Sequence, residues 1–175
     1  PELIRNIFFK KKEFYNQGEV IQPKYNKPFL ALFTIYFIIQ IALPLRHHII
    51  SDNVLWTEEG HRMSWRMMLR SKSGNVSFKV IDKANNSKIF VNPEDYLSRK
   101  QKRLVNTKPD IMWQFARHLK DEYAQKGIDI AVYVYANLSV NGRPYKKFIN
   151  PDIDIAAIEW ETFKHSDWIL PSKLD

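Results

Sequence analysis

The longest hydrophobic pattern in the chain is an apolar run from Pro28 to Leu45, PFLALFTIYFIIQIALPL. It contains no charged residue, and only Thr34 and Gln40 interrupt it with polar aliphatic side chains. At 1.5 Å per residue such a run forms a helix of roughly 27 Å, close to the hydrocarbon thickness of a bilayer. The pattern therefore predicts a transmembrane helix that ends near Pro44. A buried helix of a soluble core is the alternative.

From Ser64 onward the pattern changes to an alternation of apolar and polar residues. Val76, Phe78 and Val80 alternate with polar residues, which predicts two strands within residues 64–82, joined by a turn at Ser73-Gly74-Asn75. A third short strand is predicted at Lys88–Val91, after an Asn-Asn turn.

Two helices are predicted next. Asn92 suits the N-cap of a helix running from Pro93 to about Leu104, with Pro93 at its first position. Thr107 is the predicted cap of the second helix, with Asp110 three residues later as a short version of the capping box. The second helix has an apolar residue at every fourth position, which predicts that one of its faces lies on the sheet: Ile111, Phe115, Leu119 and Tyr123. Gly127 is the predicted end of this helix.

The clearest strand pattern runs from Asp129 to Val140, where apolar and polar residues alternate throughout. Asn141-Gly142 follows, the dipeptide most favoured in a type I′ turn, so residues 144–149 are predicted to return antiparallel. These elements predict an α+β fold: one N-terminal transmembrane helix, then a mainly antiparallel, sandwich-like β domain with one or two covering helices. The predicted segments are a basic cytoplasmic segment 1–27, a membrane helix 28–46, a connector with the first strand 47–72, and an outer domain 73–175.

The charge distribution gives the predicted helix an orientation. The chain carries 27 Lys and Arg against 19 Asp and Glu. Five lysines precede the apolar run, and acidic residues follow it closely, so the positive-inside rule predicts a cytoplasmic N-terminal side and an exported outer domain; the lysines are Lys10, Lys11, Lys12, Lys24 and Lys27, and the acids are Asp52, Glu58 and Glu59. The chain begins without methionine or a signal-peptide pattern, so we expect a piece of a longer protein. The absence of cysteine excludes disulfides and thiol chemistry within these residues.

Candidate chemistry is concentrated at the exit of the apolar run. His47, His48 and His61 lie near Glu58 and Glu59, but their spacing does not fit a helical zinc motif, so no metal site is predicted. Interfacial or hydrogen-bonded histidines are the simpler interpretation. Tryptophan and methionine follow at once, residue types more often found as membrane-interface anchors or in a core. Beside glutamate and arginine they also fit a pocket near a lipid-soluble cofactor.

The basic run SRKQKR, residues 98–103, is the best candidate for nucleic-acid binding. It lacks a recognition-helix pattern and the paired aromatic residues of an RNA-binding sheet, so a solvated helix face is favoured and no nucleic-acid partner is predicted. No Gly-rich phosphate loop and no GxSxG elbow is present.

Two long blocks resemble the vitamin K-dependent gamma-carboxylase family and its bacterial homologues. The blocks are QIALPLRHHIISDNVLWTEEGHRMSWRMMLRSK, residues 40–72, and VNGRPYKKFINPDIDIAAIEWETFKHSDWILP, residues 140–171, with PDIMWQFARHL matching between them. The resemblance covers nearly all of residues 28–170. It implies the last membrane helix and the C-terminal lumenal or periplasmic domain of an integral membrane enzyme. Such an enzyme couples epoxidation of reduced vitamin K, a menaquinol-like quinone, by O2 to CO2 addition at a protein glutamate.

The resemblance also implies candidate site residues. His47 matches the histidine of an LPxxH segment, Trp56 matches the tryptophan of a WT connector, and Ser64, Trp65, Met67 and Met68 match an SW-x-MM motif. His61 stands where animal enzymes have a tyrosine. The predicted catalytic residues are His47, His61 and Trp65. The predicted substrate-binding residues are Trp56, Arg62, Ser64, Arg66 and Arg70, the arginines as partners of a substrate carboxylate.

The implied partners are a peptide or protein glutamate substrate, membrane lipid, and an N-terminal bundle of membrane helices in the same protein. The family's initiating lysine lies upstream of the matching region and is not placed here. His61 and Arg66 depart from the family pattern and leave substrate choice open. An alternative function is a membrane-anchored peptide-binding module of a homologue without carboxylase activity. Soluble nucleic-acid binding ranks last.

Overall fold

The computed structural model describes residues 26–66 and 68–172. The predicted basic segment, apart from Asn26 and Lys27, and Met67 of the SW-x-MM motif lie outside the described residues. The chain divides into two compact units, residues 1–39 and 40–175. In the first unit, residues 26–39 belong to helix α1, Asn26–Leu45, whose last turn lies in the second unit.

Helix α1 has the length and composition of a membrane span. Together with the 3-10 turn that follows, it gives a candidate span Asn26–His48 with a mean hydropathy of 2.0. Its large apolar side chains, among them Phe33 and Phe37, are exposed. An apolar helix that buries so little of its surface within the chain needs an apolar environment from elsewhere.

The second unit is built on one antiparallel sheet with strand order β2-β1-β3-β4. The strands are β1, Lys72–Asp82, β2, Lys88–Val91, β3, Ile130–Val140, and β4, Lys146–Lys147. Three helices accompany them: α2, Val54–Thr57, α3, Arg99–Val105, and α4, Pro109–Gln125. The α+β fold with an antiparallel sheet is confirmed. Within the described residues, helices rather than a second sheet supply the other layer.

The core lies between the sheet and α4. The six apolar positions of the alternating pattern in β3 are all buried: Ile130, Val132, Val134, Ala136, Leu138 and Val140. Phe115 of α4 meets Phe78 of β1 edge-on, with ring centroids 4.8 Å apart. Phe115 and Leu119 are buried and Arg117 is half-buried on the flank, so the predicted packing face of this helix is confirmed. The helix ends at Gln125, and Gly127 follows with a φ of 76°.

The prediction of a turn at Ser73-Gly74-Asn75 is wrong, because Gly74 lies inside an unbroken strand. The strand pairs with β3 along its whole length, from Lys72↔Val140 to Asp82↔Ile130. A Cβ on Gly74 would lie 2.4 Å from the carbonyl oxygen of Asn106. Glycine is therefore required here by the close approach of another backbone rather than by a turn. Residues 64–66 and 68–70, the described part of the other predicted strand, form no strand.

The predicted helix from Pro93 to Leu104 is interrupted. The Asn92 side chain does accept a hydrogen bond from the amide of Glu94, but the turn it caps is a 3-10 turn that covers only residues 93–95. Ser98 caps a separate helix, α3, through a capping box with Gln101. The S-x-x-Q sequence of this box was the missed signal.

The predicted Thr107 cap of α4 is also wrong, because the N-cap position belongs to Lys108. The Thr107 hydroxyl donates instead to the carbonyl oxygen of Arg103. Asp110 pairs with Arg62 of the connector rather than with the cap.

The hairpin after β3 is confirmed. Asn141 and Gly142 have φ values of 53° and 75°, and the amide of Arg143 donates to the carbonyl oxygen of Val140 at 3.2 Å, as in a type I′ turn. The returning chain forms only the two-residue β4 before Ile149 pairs with Ile169 in an isolated bridge. The C-terminal segment thereby returns to the sheet.

Candidate functional site

The connector begins where α1 ends, and His47 is its first buried side chain. The ring Nδ1 lies 2.7 Å from the carbonyl oxygen of Pro44, and Nε2 lies 3.1 Å from Nε of Arg66. A carbonyl can only accept and an arginine can only donate, so the ring is the neutral Nδ1–H tautomer. His47 thus holds Arg66 close to the end of α1. Gly60, at a φ of 67°, leaves room for it, since a Cβ there would lie 3.0 Å from the Cα of His47.

A buried carboxylate next to this contact gathers three cations. Glu58 receives Arg70 on both oxygens, with Nη2 at 2.8 Å from Oε2 and Nε at 3.2 Å from Oε1. Lys72 Nζ lies 3.1 Å from Oε1 and Lys108 Nζ lies 3.6 Å from Oε2. Burial alone would raise the pKa of Glu58, but Lys72, Arg70 and Lys108 together outweigh it and lower that pKa below its ordinary value.

Lys72 is the most buried cation of this cluster. Its side chain is 5% exposed, and Nζ also donates to the carbonyl oxygen of Trp56 at 2.6 Å. Burial lowers the pKa of Lys72 from 10.5 to about 8, although Glu58 acts in the opposite direction. Lys72 opens β1, so the cluster attaches the connector to the sheet.

His61 contacts the same cluster through Arg70. Nη1 of Arg70 lies 2.6 Å from Nε2 of the ring, so this nitrogen accepts the hydrogen bond. Burial, and then the charge of Arg70, lowers the pKa of His61 below its ordinary value. The hydroxyl of Ser64 donates to the carbonyl oxygen of His61 at 2.6 Å and fixes the turn between them.

Glu59, which sequence reasoning did not include among the site residues, is buried with a partner from the far end of the chain. Its Oε2 lies 2.6 Å from Nδ1 of His165, and its Oε1 accepts the amide of Ser166 at 2.8 Å. The Glu59 side chain is 1% exposed. A glutamate beside another glutamate gives no sequence signal of burial, and both partners of Glu59 lie more than a hundred positions away.

A loop described at residues 63–66 and 68–69, here called the exposed loop, carries apolar side chains that the described part of the chain leaves exposed. Trp65 is 79% exposed, Met68 is fully exposed and Leu69 is exposed. Ile49, just beyond the helix exit, is 82% exposed. Met63, Trp65 and Met68 have φ values of 68°, 54° and 57°, in the left-handed region that costs side-chain-bearing residues about 1 kcal/mol or more each. The loop therefore displays its apolar residues at a conformational cost.

The remaining predicted site residues point elsewhere. Trp56 lies in the core, edge-on to Phe148, and its Nε1 donates to the carbonyl oxygen of Leu170 at 2.8 Å. Arg62 is exposed and pairs with Asp110 at the start of α4. A cleft of about 490 Å³ opens beside this pair; its lining includes Arg46, Glu58, Arg62, Asp110, Trp113 and Trp160. The structure thus brings together His47 with Arg66 and His61 with Ser64 and Arg70, whereas the ring of Trp56 lies in the core and only its backbone carbonyl contacts Lys72.

Among residues 26–66 and 68–172, no group of three or more His, Asp or Glu side chains is arranged to hold a metal ion. Glu58 is instead paired with Arg70, Lys72 and Lys108, and Glu59 with His165.

Comparison with known proteins supports the family resemblance. The family model described as the lumenal domain of vitamin K-dependent gamma-carboxylase matches residues 25–175. No solved structure matches the chain significantly. The match includes the membrane-exit connector, the sheet and the C-terminal segment, and the candidate membrane helix lies at its start. The chain therefore belongs to the vitamin K-dependent gamma-carboxylase family and is the part of a carboxylase-like membrane protein that contains the lumenal domain.

Proposed function

We propose that this chain is the outer part of a membrane-bound gamma-glutamyl carboxylase-like enzyme and supplies substrate recognition and part of the active-site wall. Residues 1–27 would be cytoplasmic, 28–46 would cross the membrane, 47–72 would form the exit connector and first strand, and 73–175 would lie on the lumenal or periplasmic side. The observation that carries the proposal is the contact between His47 and Arg66, which places a guanidinium beside the apolar loop at the helix exit.

Arg66 is the arginine best placed to bind a substrate carboxylate. Arg70 is already bidentate on Glu58, and Arg62 pairs with Asp110. Arg66 uses its Nε on His47, and within the described residues its two terminal nitrogens have no assigned partner. Those terminal N–H groups form the fork that suits a carboxylate. In this proposal His47 is a positioning residue, because it acts through Arg66.

The exposed loop fits an apolar ligand at the membrane face. Trp65, Met68 and Leu69 present apolar surface without a partner in the described chain, and they would hold the ring of reduced vitamin K. When bound, reduced vitamin K supplies, by reaction with oxygen, the base that removes a glutamate γ-proton. The loop side chains would exclude water from that base, since water would quench it by proton transfer. Membrane helices upstream in the same protein would close the other side.

The test uses the full-length protein in liposomes, with reduced vitamin K, a glutamate peptide and labelled bicarbonate. Arg66→Gln should raise the KM for the peptide about 10- to 100-fold, because a charge-assisted pair contributes roughly 1.5–3 kcal/mol. Trp65→Ala should slow epoxide formation while membrane insertion persists. Phe163→Ala changes an exposed aromatic residue outside the connector and is the control. Unchanged rates in both connector variants would reject these site assignments.

One observation favours the alternative of a peptide-binding module without carboxylase activity. The strongest cation cluster is occupied by the chain's own Glu58, so fewer positive charges remain for a substrate. That module would bind a glutamate peptide in an Arg66-dependent manner, yet the full-length protein would incorporate no labelled carbon dioxide. The same assay therefore separates the two functions.

A further inference from the structure

The cleft of about 490 Å³ beside Arg62 and Asp110 adjoins the end of the candidate membrane helix. Its lining includes Arg46, which directly follows the last residue of α1 and lies within the candidate span Asn26–His48. A basic residue at the end of a membrane helix lies at the level of the lipid headgroups. The volume is within the range of about 300–1,000 Å³ that small-ligand sites have. We call this cleft the exit cleft.

Arg46 supplies the exit cleft with a positive charge that lacks a counter-charge. None of the ion pairs among residues 26–66 and 68–172 involves it. Its Nε is buried without a hydrogen-bond partner, and the contact from its Nη2 to the carbonyl oxygen of Arg62 is long, at 3.4 Å. A buried N–H without an acceptor costs free energy, which an anionic oxygen in the cleft would recover. A phosphate suits this position, since a guanidinium presents paired donors to it.

The acidic residues of the exit cleft favour a ligand that also carries a positive charge. Glu58 and Asp110 are already neutralised by the ion pairs described above. Glu159 pairs with a cation at 3.1 Å, although its side chain is 80% exposed. Glu161 is exposed and has no ion pair within the described part of the chain. The uncompensated charges are thus one cation, Arg46, and one anion, so a zwitterionic ligand can pair with both.

Trp160 gives the exit cleft an aromatic surface for the positive group of such a ligand. Its ring centroid lies 6.2 Å from that of Trp113. The Arg117 guanidinium already lies 5.5 Å from the Trp113 ring, whereas no Lys or Arg of the described residues lies over the ring of Trp160. Tryptophan is the aromatic residue that attracts cations most strongly, and the next residue but zero along the chain, Glu161, adds a carboxylate. An ammonium group therefore fits beside Trp160.

The surroundings of Arg46 favour a lipid over a soluble compound. Leu45 and Ile49, which flank it in sequence, are 52% and 82% exposed. Apolar chains attached to a phosphate on Arg46 would cover such side chains, whereas a soluble phosphate would leave them in water.

We propose that the exit cleft binds the headgroup of a zwitterionic phospholipid, with its phosphate on Arg46 and its ammonium beside Trp160 and Glu161. Phosphoethanolamine and phosphocholine share this chemistry, because each joins a phosphate to a cationic nitrogen through a short linker. The bound lipid would fix the connector to the bilayer surface. This proposal rests on the membrane placement of α1 in the proposed function, but it does not require carboxylase activity.

The test titrates the delipidated full-length protein in detergent with phosphatidylethanolamine, phosphatidylcholine or phosphatidylglycerol of equal acyl chains. Native mass spectrometry counts the bound lipids and gives their Kd values. Wild type should bind the two zwitterionic lipids about 5- to 10-fold more tightly than phosphatidylglycerol, which lacks the ammonium. Lipids on the upstream membrane helices bind wild type and variants alike, so the difference between proteins isolates the exit cleft.

Two variants should change this preference in different ways. Arg46→Gln should weaken all three lipids about 10-fold, because each carries a phosphate. Glu161→Gln should weaken only the two zwitterionic lipids, by about 3- to 5-fold, because only they carry an ammonium. The control Arg99→Gln removes an exposed arginine at the start of α3 and should leave every affinity unchanged. The variants predict different lipid patterns, so a folding defect in one of them does not decide the result.

Three results would overturn the headgroup site. Wild type may bind phosphatidylglycerol as tightly as phosphatidylethanolamine, or Arg99→Gln may weaken binding as much as Arg46→Gln does. The third result concerns glycerophosphoethanolamine, the same headgroup without acyl chains, which should compete only at far higher concentration than the lipid. Competition at equal concentration would identify a soluble ligand instead.

Activity measurements separate this proposal from the proposed function. If the lipid preference depends on Arg46 and Glu161 but the full-length protein incorporates no labelled carbon dioxide, only the proposed function fails. If the protein carboxylates a glutamate peptide but shows no lipid preference, only the headgroup site fails.

Discussion

Neutralising Glu58 should destabilise the second unit more than any other single charge change in the connector. In Glu58→Gln the side chain keeps its shape, but Arg70 and Lys72, 12% and 5% exposed, lose their counter-charge at 2.8 and 3.1 Å. Removing one partner of a buried ion pair costs about 3–5 kcal/mol. We take about 3 kcal/mol, because Lys72, whose pKa is already lowered to about 8, relieves part of the cost by losing its proton.

The expected change is measurable in the full-length protein in detergent. For a unit of this size, about 3 kcal/mol corresponds to a decrease in Tm of roughly 10 °C. The fluorescence of the buried Trp56 and Trp168 reports the unfolding of the second unit. Glu161→Gln changes an exposed glutamate of the same cleft and should leave Tm within about 2 °C of wild type.

A double variant tests the cause. Adding Lys72→Met to Glu58→Gln removes the buried charge that the first change leaves unpaired, so the double variant should recover part of the lost Tm. If Glu58→Gln has the same Tm as Glu161→Gln, or if adding Lys72→Met lowers the Tm of Glu58→Gln further, the ion-pair reasoning is refuted.

Two further changes test other parts of the structure. Gly74→Ala should lower Tm by several degrees, since its Cβ would lie 2.4 Å from the Asn106 carbonyl oxygen. The control Ser77→Ala changes an exposed residue of the same strand and should leave Tm unchanged. Equal Tm values for the two variants would contradict the close approach. The stability of the wild type should rise relative to Lys72→Met between pH 8 and 10.5, by up to about 3 kcal/mol. Across that window Lys72, with a pKa of about 8, has lost its proton in the folded state, while the unfolded lysine retains it. Denaturant titrations measure the free energy of unfolding of both proteins at each pH. A difference between them that does not change with pH would refute the burial effect.

Local sequence signals predicted those parts of the fold in which local and tertiary preferences agree. Strand β3 combines strict alternation with an Asn-Gly turn, and both are confirmed because the buried face and the turn chemistry require the same register. Gly74 was misread because its glycine serves a contact with Asn106, 32 positions away, that no local pattern contains. At Asn92 and Ser98 two capping signals competed within seven residues, and the complete capping box at Ser98 begins the α-helix.

The candidate site was less accessible to sequence reasoning, because its contacts join distant segments. Clustering of histidine and arginine at the helix exit indicated the region, yet the Arg66 contact with His47 spans 19 positions and depends on the turns at Gly60 and Ser64. Glu59 joins His165 across 106 positions, which periodicity cannot reveal. Trp56 was interpreted as an interface anchor, a core residue or part of a pocket, and its ring fills the core.

The left-handed backbone of the exposed loop limits how the protein can be improved in the laboratory. Glycine adopts such angles without penalty, so glycine at Met63, Trp65 or Met68 would relieve about 1 kcal/mol at each position. Directed evolution for heat tolerance alone would therefore favour glycine at these three codons. Under the proposed function, selection for turnover in a bilayer would retain the large side chains. A screen for heat tolerance and a screen for turnover would therefore enrich different residues at these three positions of the same library.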